Sequence, residues 1–168
     1  MALASDKRIL VVDDEPDIRD FLSTCVEDAG FQVQTAFDGQ DALEKIEKRI
    51  PDLITLDLAM PRMTGGQLMK KLRENQKWSK IPVIIITAHA KDEMGQNEVK
   101  ELKSKKLISD PQYIIEKPIT PLKLVSGISK ILNVEPAIEL ATERNELLES
   151  IKSASPEKLK EIQELLNK

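Results

Sequence analysis

Short apolar runs alternate along the chain with stretches in which apolar residues recur every three or four positions. These are the signatures of buried strand and of amphipathic helix. Residues 9–12 form the first run, which ends at Asp13 and Asp14. Over 16–29, Ile18, Phe21, Leu22, Cys25 and Val26 share a helical face, with Pro16 suited to the first turn and Gly30 to the stop. Residues 31–36 alternate with period two through Phe31, Val33 and Thr35, which predicts a strand. Asp38 is placed to cap a helix carrying Ala42, Leu43 and Ile46. Residues 53–56 give a third strand ending at Asp57, and 65–75 a helix with Leu68, Met69 and Leu72 on one face. Residues 81–86 give a fully apolar fourth strand ending at Thr87, followed by a polar helix over 92–106. Residues 113–115 form a fifth strand followed by Lys117 and Pro118, and 122–132 a closing helix.

Five strands alternating with five helices predict an α/β fold. Strands this apolar are buried on both faces, as in a parallel sheet wrapped by helices. Right-handed crossovers then give a doubly wound sheet, in which ligands bind beyond the carboxyl ends of the strands. The residues with chemistry to offer fall there: Asp13 and Asp14 after the first strand, Asp57 after the third, Thr87 after the fourth and Lys117 after the fifth.

Composition narrows the class. At 40% apolar residues, the 168-residue chain suits one compact domain plus a modest appendage. With one Trp, one Tyr and three Phe, the core must be built from Ile, Leu and Val. A formal net charge of −4 offers no broad attraction to nucleic acid or an anionic membrane. Cys25, the single cysteine, excludes an internal disulfide and fits the core. The first eight residues lack the apolar centre of a secretory signal, and the densest apolar run, 83–86, is too short to cross a bilayer. A soluble, cytoplasmic protein is expected.

Three carboxylates, a hydroxyl and an ammonium converge if the sheet is wound this way. Adjacent acids repel unless a cation neutralises them. Asp13, Asp14 and Asp57 supply hard oxygen ligands, too few for an all-protein cage, which suits Mg²⁺. Asp57 can act as a nucleophile toward a phosphoryl group, giving an aspartyl phosphate. Lys117 then neutralises charge on the transferring oxygens, and Thr87 offers them a hydroxyl.

These residues sit in motifs that resemble the response-regulator receiver family of two-component signalling, in its chemotaxis-regulator-like, stand-alone form. Val11-Val12-Asp13-Asp14-Glu15-Pro16 resembles its acidic-pair signature, and Leu56-Asp57-Leu58-Ala59-Met60-Pro61, then Gly65, its phosphoacceptor segment and following loop. Ile86-Thr87-Ala88 and Glu116-Lys117-Pro118 resemble its two remaining signatures. Ala36-Phe37-Asp38-Gly39, then Ala42-Leu43, matches its lead into the second helix. The match covers about residues 6–133, taken as the receiver domain, with 134–168 as a helical C-terminal extension. The resemblance implies a flavodoxin-like five-stranded sheet of order 2-1-3-4-5 with helices on both faces. It implies phosphorylation of Asp57 by a sensor histidine kinase or a phosphotransfer protein. It also implies Mg²⁺ held by Asp14, Asp57 and the Ala59 carbonyl, with Asp13 acting largely through water. Thr87 and Lys117 would bind the phosphoryl group, and the Lys117-Pro118 peptide would be cis. The chain would then be a phosphoacceptor signalling protein rather than an enzyme, acting through protein contacts on a downstream target that the sequence does not name.

The sequence departs from the family in two places. Ile114 stands where the family usually has Tyr or Phe, with Tyr113 one residue earlier and so on the opposite strand face. The stretch from Thr87 to Lys117 is about eight residues longer than usual, roughly two helical turns, and carries Lys103, Lys105 and Lys106. His89 is expected in an exposed loop near the phosphate, and Met60 and Met63 beneath the phosphate loop.

Residues 134–168 lack aromatics and Gly and hold eight Glu against five Lys plus Arg. A helix over 136–152 would carry Leu140, Leu147, Leu148 and Ile151; a second, starting at Ser155, would carry Leu159, Ile162, Leu165 and Leu166. The acidic balance argues against direct DNA binding. Packing on the receiver, on a second copy as a homodimer, or on a partner remains open, and no membrane association is expected. Two other classes compete with signalling. A Mg²⁺-dependent phosphotransferase or phosphatase usually needs a second acid two residues after the nucleophile, where this chain has Ala59. A flavodoxin needs a Ser/Thr/Gly-rich loop after the first strand, where Asp13-Asp14-Glu15 would repel the cofactor.

Overall fold

The computed structural model describes residues 3–60, 62–88, 93–107 and 114–136, with the side chains of 93–95 excepted, and beyond these only Glu157, Lys160 and 163–165. The chain forms two compact units, Met1–Ala137 and Ile138–Lys168. In the first unit the element order is β1 (Arg8–Val12), α1 (Pro16–Asp28), β2 (Gln32–Ala36), α2 (Gly39–Lys48), β3 (Leu53–Asp57), α3 (Gly65–Glu74), β4 (Val83–Thr87), α4 (Glu93–Ser104), β5 (Ile114–Glu116) and α5 (Pro121–Leu132). A short 3-10 turn, Ala4–Asp6, precedes β1, and a bridge between Leu3 and Glu135 ties the start of this unit to the residues after α5; neither is visible in the hydrophobic pattern.

All strand pairs are parallel, and the order is β2-β1-β3-β4-β5, the doubly wound sheet expected. The central strands β1, β3 and β4 are buried almost throughout, whereas edge strands β2 and β5 are mostly half-buried. Alternation within the apolar runs divides them between two cores. Leu10, Val12, Ile54, Leu56, Val83 and Ile85 pack with Ala42 and Ile46 of α2, Leu68, Met69 and Leu72 of α3, and Leu102 of α4. Ile9, Val11, Leu53, Ile84 and Ile86 pack with Leu22, Cys25 and Val26 of α1 and Leu124 and Ile128 of α5. Continuous burial on both faces is why these strands read as near-continuous Ile/Leu/Val, interrupted in β3 by buried Thr55.

Helix starts follow local chemistry. Pro16 and Pro121 occupy first turns, where a missing N–H loses nothing. Asp38 accepts the N–H of Asp41, and Thr64 forms a reciprocal box with Gln67. Gly30, at φ 94°, turns the chain after α1. Cys25 is buried as expected, and burial pushes its thiol above its ordinary value. The Lys117–Pro118 peptide is cis.

The strand limits differ slightly from the expected ones. β4 begins at Val83 rather than at residue 81, because Pro82 has no N–H to give the ladder and contributes only its carbonyl, to the N–H of Ile54. β5 ends one residue later than expected, on Glu116. Tyr113 and His89 lie outside the described residues; Ile114 is half-buried against the core on the α2/α3 side. The two expected tail helices lie almost wholly outside the described residues; Glu157, Lys160 and 163–165 are helical, and Leu165 is exposed. No helix among the described residues is long and apolar enough to cross a membrane.

Candidate functional site

The parallel register brings the carboxyl ends of β1, β3, β4 and β5 to one edge of the sheet. Val12 pairs with Leu56, Asp57 with Ile86, and Thr87 with Glu116. Two backbone bonds carry the ladder a residue further, Asp13 N–H to the Ala36 carbonyl (3.2 Å) and Lys117 N–H to the Thr87 carbonyl (2.9 Å). The ends of four strands thereby fix Asp13, Asp57, Thr87 and Lys117. Asp13, Asp57 and Thr87 are buried, polar residues at the close of apolar runs.

One carboxylate oxygen from each of Asp13, Asp14 and Asp57 lies within 4.8 Å of the other two. The Lys117 ammonium faces two of these acids, with Nζ 3.6 Å from Asp13 Oδ2 and 3.7 Å from Asp57 Oδ2. Those separations are ion pairs longer than hydrogen bonds. Asp13 Oδ1 accepts the Glu15 N–H at 3.0 Å, while Arg19 Nη1 donates to the Asp13 carbonyl at 2.8 Å. Asp57 Oδ1 accepts the Ala59 N–H at 3.2 Å, so the loop after β3 folds back on the acid that precedes it. Met60 is buried, and Met63 is half-buried against the core beside this loop.

Burial dominates the electrostatics. It raises the Asp57 carboxyl to about 6; Asp13 and Asp14 push the same way, and the Lys117 charge and the Ala59 N–H oppose them. Asp13 is likewise held above the ordinary carboxylate range, chiefly by burial. Two buried oxygens, Asp13 Oδ2 and Asp14 Oδ1, accept no hydrogen bond within the protein. Buried carboxylate oxygens that receive no hydrogen bond, beside a third acid, are the donor set that a hard divalent cation completes, and the residues fit one on that ground.

Two features of the site were not legible in the hydrophobic pattern, although Gly65 stands in the motif that resembles the receiver family's phosphoacceptor loop. Gly65 is closely packed, since a Cβ there would sit 2.6 Å from the Asp57 carbonyl oxygen and 2.7 Å from Leu58 Cα. Arg62, in the loop between β3 and α3, has φ 67° and pairs with Asp38 across to α2. The position of Gly65 at the start of a helix, rather than inside it, was the available signal for the first; nothing local signals the second.

Comparison with known proteins agrees with this geometry. Residues 9–129 match the profile of the response regulator receiver domain. The chain is 38% identical over 117 residues, 70% of its length, to an uncharacterized 14.6 kDa protein of Leptolyngbya boryana, of which 83% is covered. It is 36% identical over 127 residues to the alkaline phosphatase synthesis transcriptional regulatory protein PhoP of Bacillus subtilis, covering 76% of this chain and 49% of that one. It therefore spans about half the length of that regulator. Among solved structures, the chemotaxis protein CheY4 of Vibrio cholerae superposes with a TM-score of 0.64 at 31% identity, over 77% of this chain and 99% of that one. The expected flavodoxin-like fold and two-component class both hold, and the chain belongs to the response-regulator receiver family.

Proposed function

We propose that Asp57 is the phosphoacceptor of this receiver, charged by a sensor histidine kinase or a phosphotransfer protein. The observation that carries the reading is the cluster of buried Asp13 and Asp57 with half-buried Asp14 at the carboxyl edge of the sheet, where Lys117 faces Asp13 and Asp57. In the reaction an Asp57 carboxylate oxygen attacks phosphorus and the P–N bond of a phosphohistidine breaks. The departing imidazole keeps the electron pair and takes a proton. Lys117 neutralises charge on the phosphoryl oxygens, and the Thr87 hydroxyl bonds one of them once transfer is complete. The Ala59 N–H, already on Asp57 Oδ1, holds the carboxylate in one orientation.

Asp13, Asp14, Asp57 and the Ala59 carbonyl would hold Mg²⁺, with Asp13 acting largely through water. The ion supplies charge neutralisation, letting a trianionic cluster accept a further anion. The protein acts as a phosphoacceptor rather than on a separate substrate, from the cytoplasm, where sensor kinases present their phosphohistidines. Residues 6–133 carry this chemistry, and 134–168 with the lengthened stretch between Thr87 and Lys117 serve output by protein contact, including self-association. The acidic 134–168 stretch disfavours direct DNA binding.

Intact-mass measurement after exposure to a small phosphodonor tests this. One added phosphoryl group is expected in Mg²⁺ and none in chelator. Equal labelling of Asp57→Asn would exclude Asp57.

A further inference from the structure

We propose that Arg62 is a positioning residue for the loop that carries the phosphoacceptor chemistry, acting through the buried carboxylate of Asp38; the inference rests on Asp57 being the phosphoacceptor.

The loop between β3 and α3 starts directly after Asp57 and includes Ala59. On the sheet side it is held by its own backbone: the Met60 and Gly65 N–H groups both donate to the Leu58 carbonyl, at 3.2 and 3.1 Å. Its outer side is held by α2 instead. Arg62 Nε lies 3.7 Å from Asp38 Oδ2. Asp38 is buried, and its other oxygen accepts the Asp41 N–H at 2.8 Å as the cap of α2. The cap fixes the carboxylate, so the anion that Arg62 meets is already in place. The next residue, Met63, lies against Gly39 so closely that a Cβ on Gly39 would sit 2.7–2.8 Å from Met63 Cβ, Cγ and Sδ. Two consecutive loop residues therefore grip the same helix start.

The backbone of Arg62 points the same way. At φ 67° it occupies the left-handed region, which suits Gly or Asn and opposes a long L side chain. An arginine in that conformation is retained against its local preference, and the pairing with Asp38 is what its side chain gains there. The side chain is 75% exposed, so the pair adds little to global stability. Its effect falls on the order of the loop, and hence on how steadily Ala59 and Asp57 keep their mutual geometry.

Amide hydrogen exchange at Met60 and Gly65 reads that order without any phosphoryl transfer, and labelling rate with a small phosphodonor in Mg²⁺ reads its consequence. Arg62→Gly and Asp38→Asn, the latter still able to cap α2, should each speed exchange at both amides and slow labelling by about two- to fivefold, the span a partly exposed ion pair allows. The double variant should be no worse than either single one, and Arg62→Lys should recover part of the loss. Arg62→Gly should melt no lower than wild type, since the backbone strain is relieved; a merely structural role would lower it. Unchanged exchange and labelling in Arg62→Gly would overturn the proposal, as would independent, multiplying effects in the double variant. Failure of wild type to label at all would overturn the phosphoacceptor reading instead, and the exchange comparison would still decide the latch.

Discussion

Lys117 Nζ stands 3.7 Å from Asp57 Oδ2 and 3.6 Å from Asp13 Oδ2, so one ammonium balances two buried acids. Its charge is the largest influence lowering an Asp57 carboxyl that burial otherwise drives up. Replacing Lys117 by Met should therefore move the Asp57 titration above its value of about 6 in metal-free protein. Carboxyl NMR of labelled aspartate reads this directly. A midpoint that stays put or falls would show that the ammonium does not act on Asp57.

Gly65 and Gly66 are adjacent in sequence and opposite in tolerance. A Cβ on Gly65 would collide with backbone atoms of Asp57 and Leu58, which have no free rotamer to escape into, whereas on Gly66 the nearest atoms lie at 3.9 Å. Gly65→Ala should destabilise by about 1–3 kcal/mol and disturb the Asp57 carbonyl. Gly66→Ala, inside α3, should be neutral or stabilise by up to about 1 kcal/mol. Urea unfolding of the two variants separates the cases, and equal effects would contradict the packing described.

Much of this site was legible because parallel strands buried on both faces leave a sharp edge where polarity returns. Asp13, Asp57, Thr87 and Lys117 stand at such edges, and the topology that brings them together follows from the strand–helix alternation. Local rules also gave Asp38 and the Pro16 turn correctly. They erred by one or two residues where a single group decides the ladder, as with the missing N–H of Pro82. Long-range polar contacts left no periodic trace. Arg62 reaching Asp38, Leu3 bridging to Glu135 and Arg73 reaching three carbonyls are pairings between segments, and hydrophobic spacing encodes none of them.

Arg73 itself yields a third prediction. From the last turn of α3 its Nη1 donates to the Ser79 and Ile81 carbonyls at 2.9 and 2.8 Å, and its Nε to the Leu107 carbonyl at 3.2 Å. One planar fork thus joins α3, the approach to β4 and the residue that buries itself just beyond α4. Arg73→Ala should cost about 2–4 kcal/mol, since charged donors are lost and half-buried carbonyls left open. Arg73→Lys should recover only part, because a single ammonium cannot reproduce the fork. Chemical denaturation measures both; a loss below about 0.5 kcal/mol, the range of ordinary surface changes, would refute the clamp.

The raised Asp57 carboxyl makes stability depend on pH in a direction opposite to that of a salt-bridged acid. Its ordinary value is about 3.9, and in the folded protein it is about 6. Between those values the folded state holds the proton and the unfolded chain has released it, so stability declines as pH rises through the window and levels off above it. Two units correspond to roughly 3 kcal/mol as an upper bound. Asp13, raised by the same burial, acts in the same sense. Asp57→Asn removes the penalty while keeping the side-chain shape. In chelator at pH 7 that variant should exceed wild type by about 1–3 kcal/mol, and near pH 4 the difference should shrink toward zero. Saturating Mg²⁺ should close the gap at pH 7, because an ion bound only by the folded cluster stabilises wild type by mass action. Urea melts of the two proteins across pH, with and without Mg²⁺, carry the test. An Asp57→Asn advantage that is absent at pH 7, or that persists undiminished at pH 4, would show that burial of this carboxylate does not limit the stability of the fold.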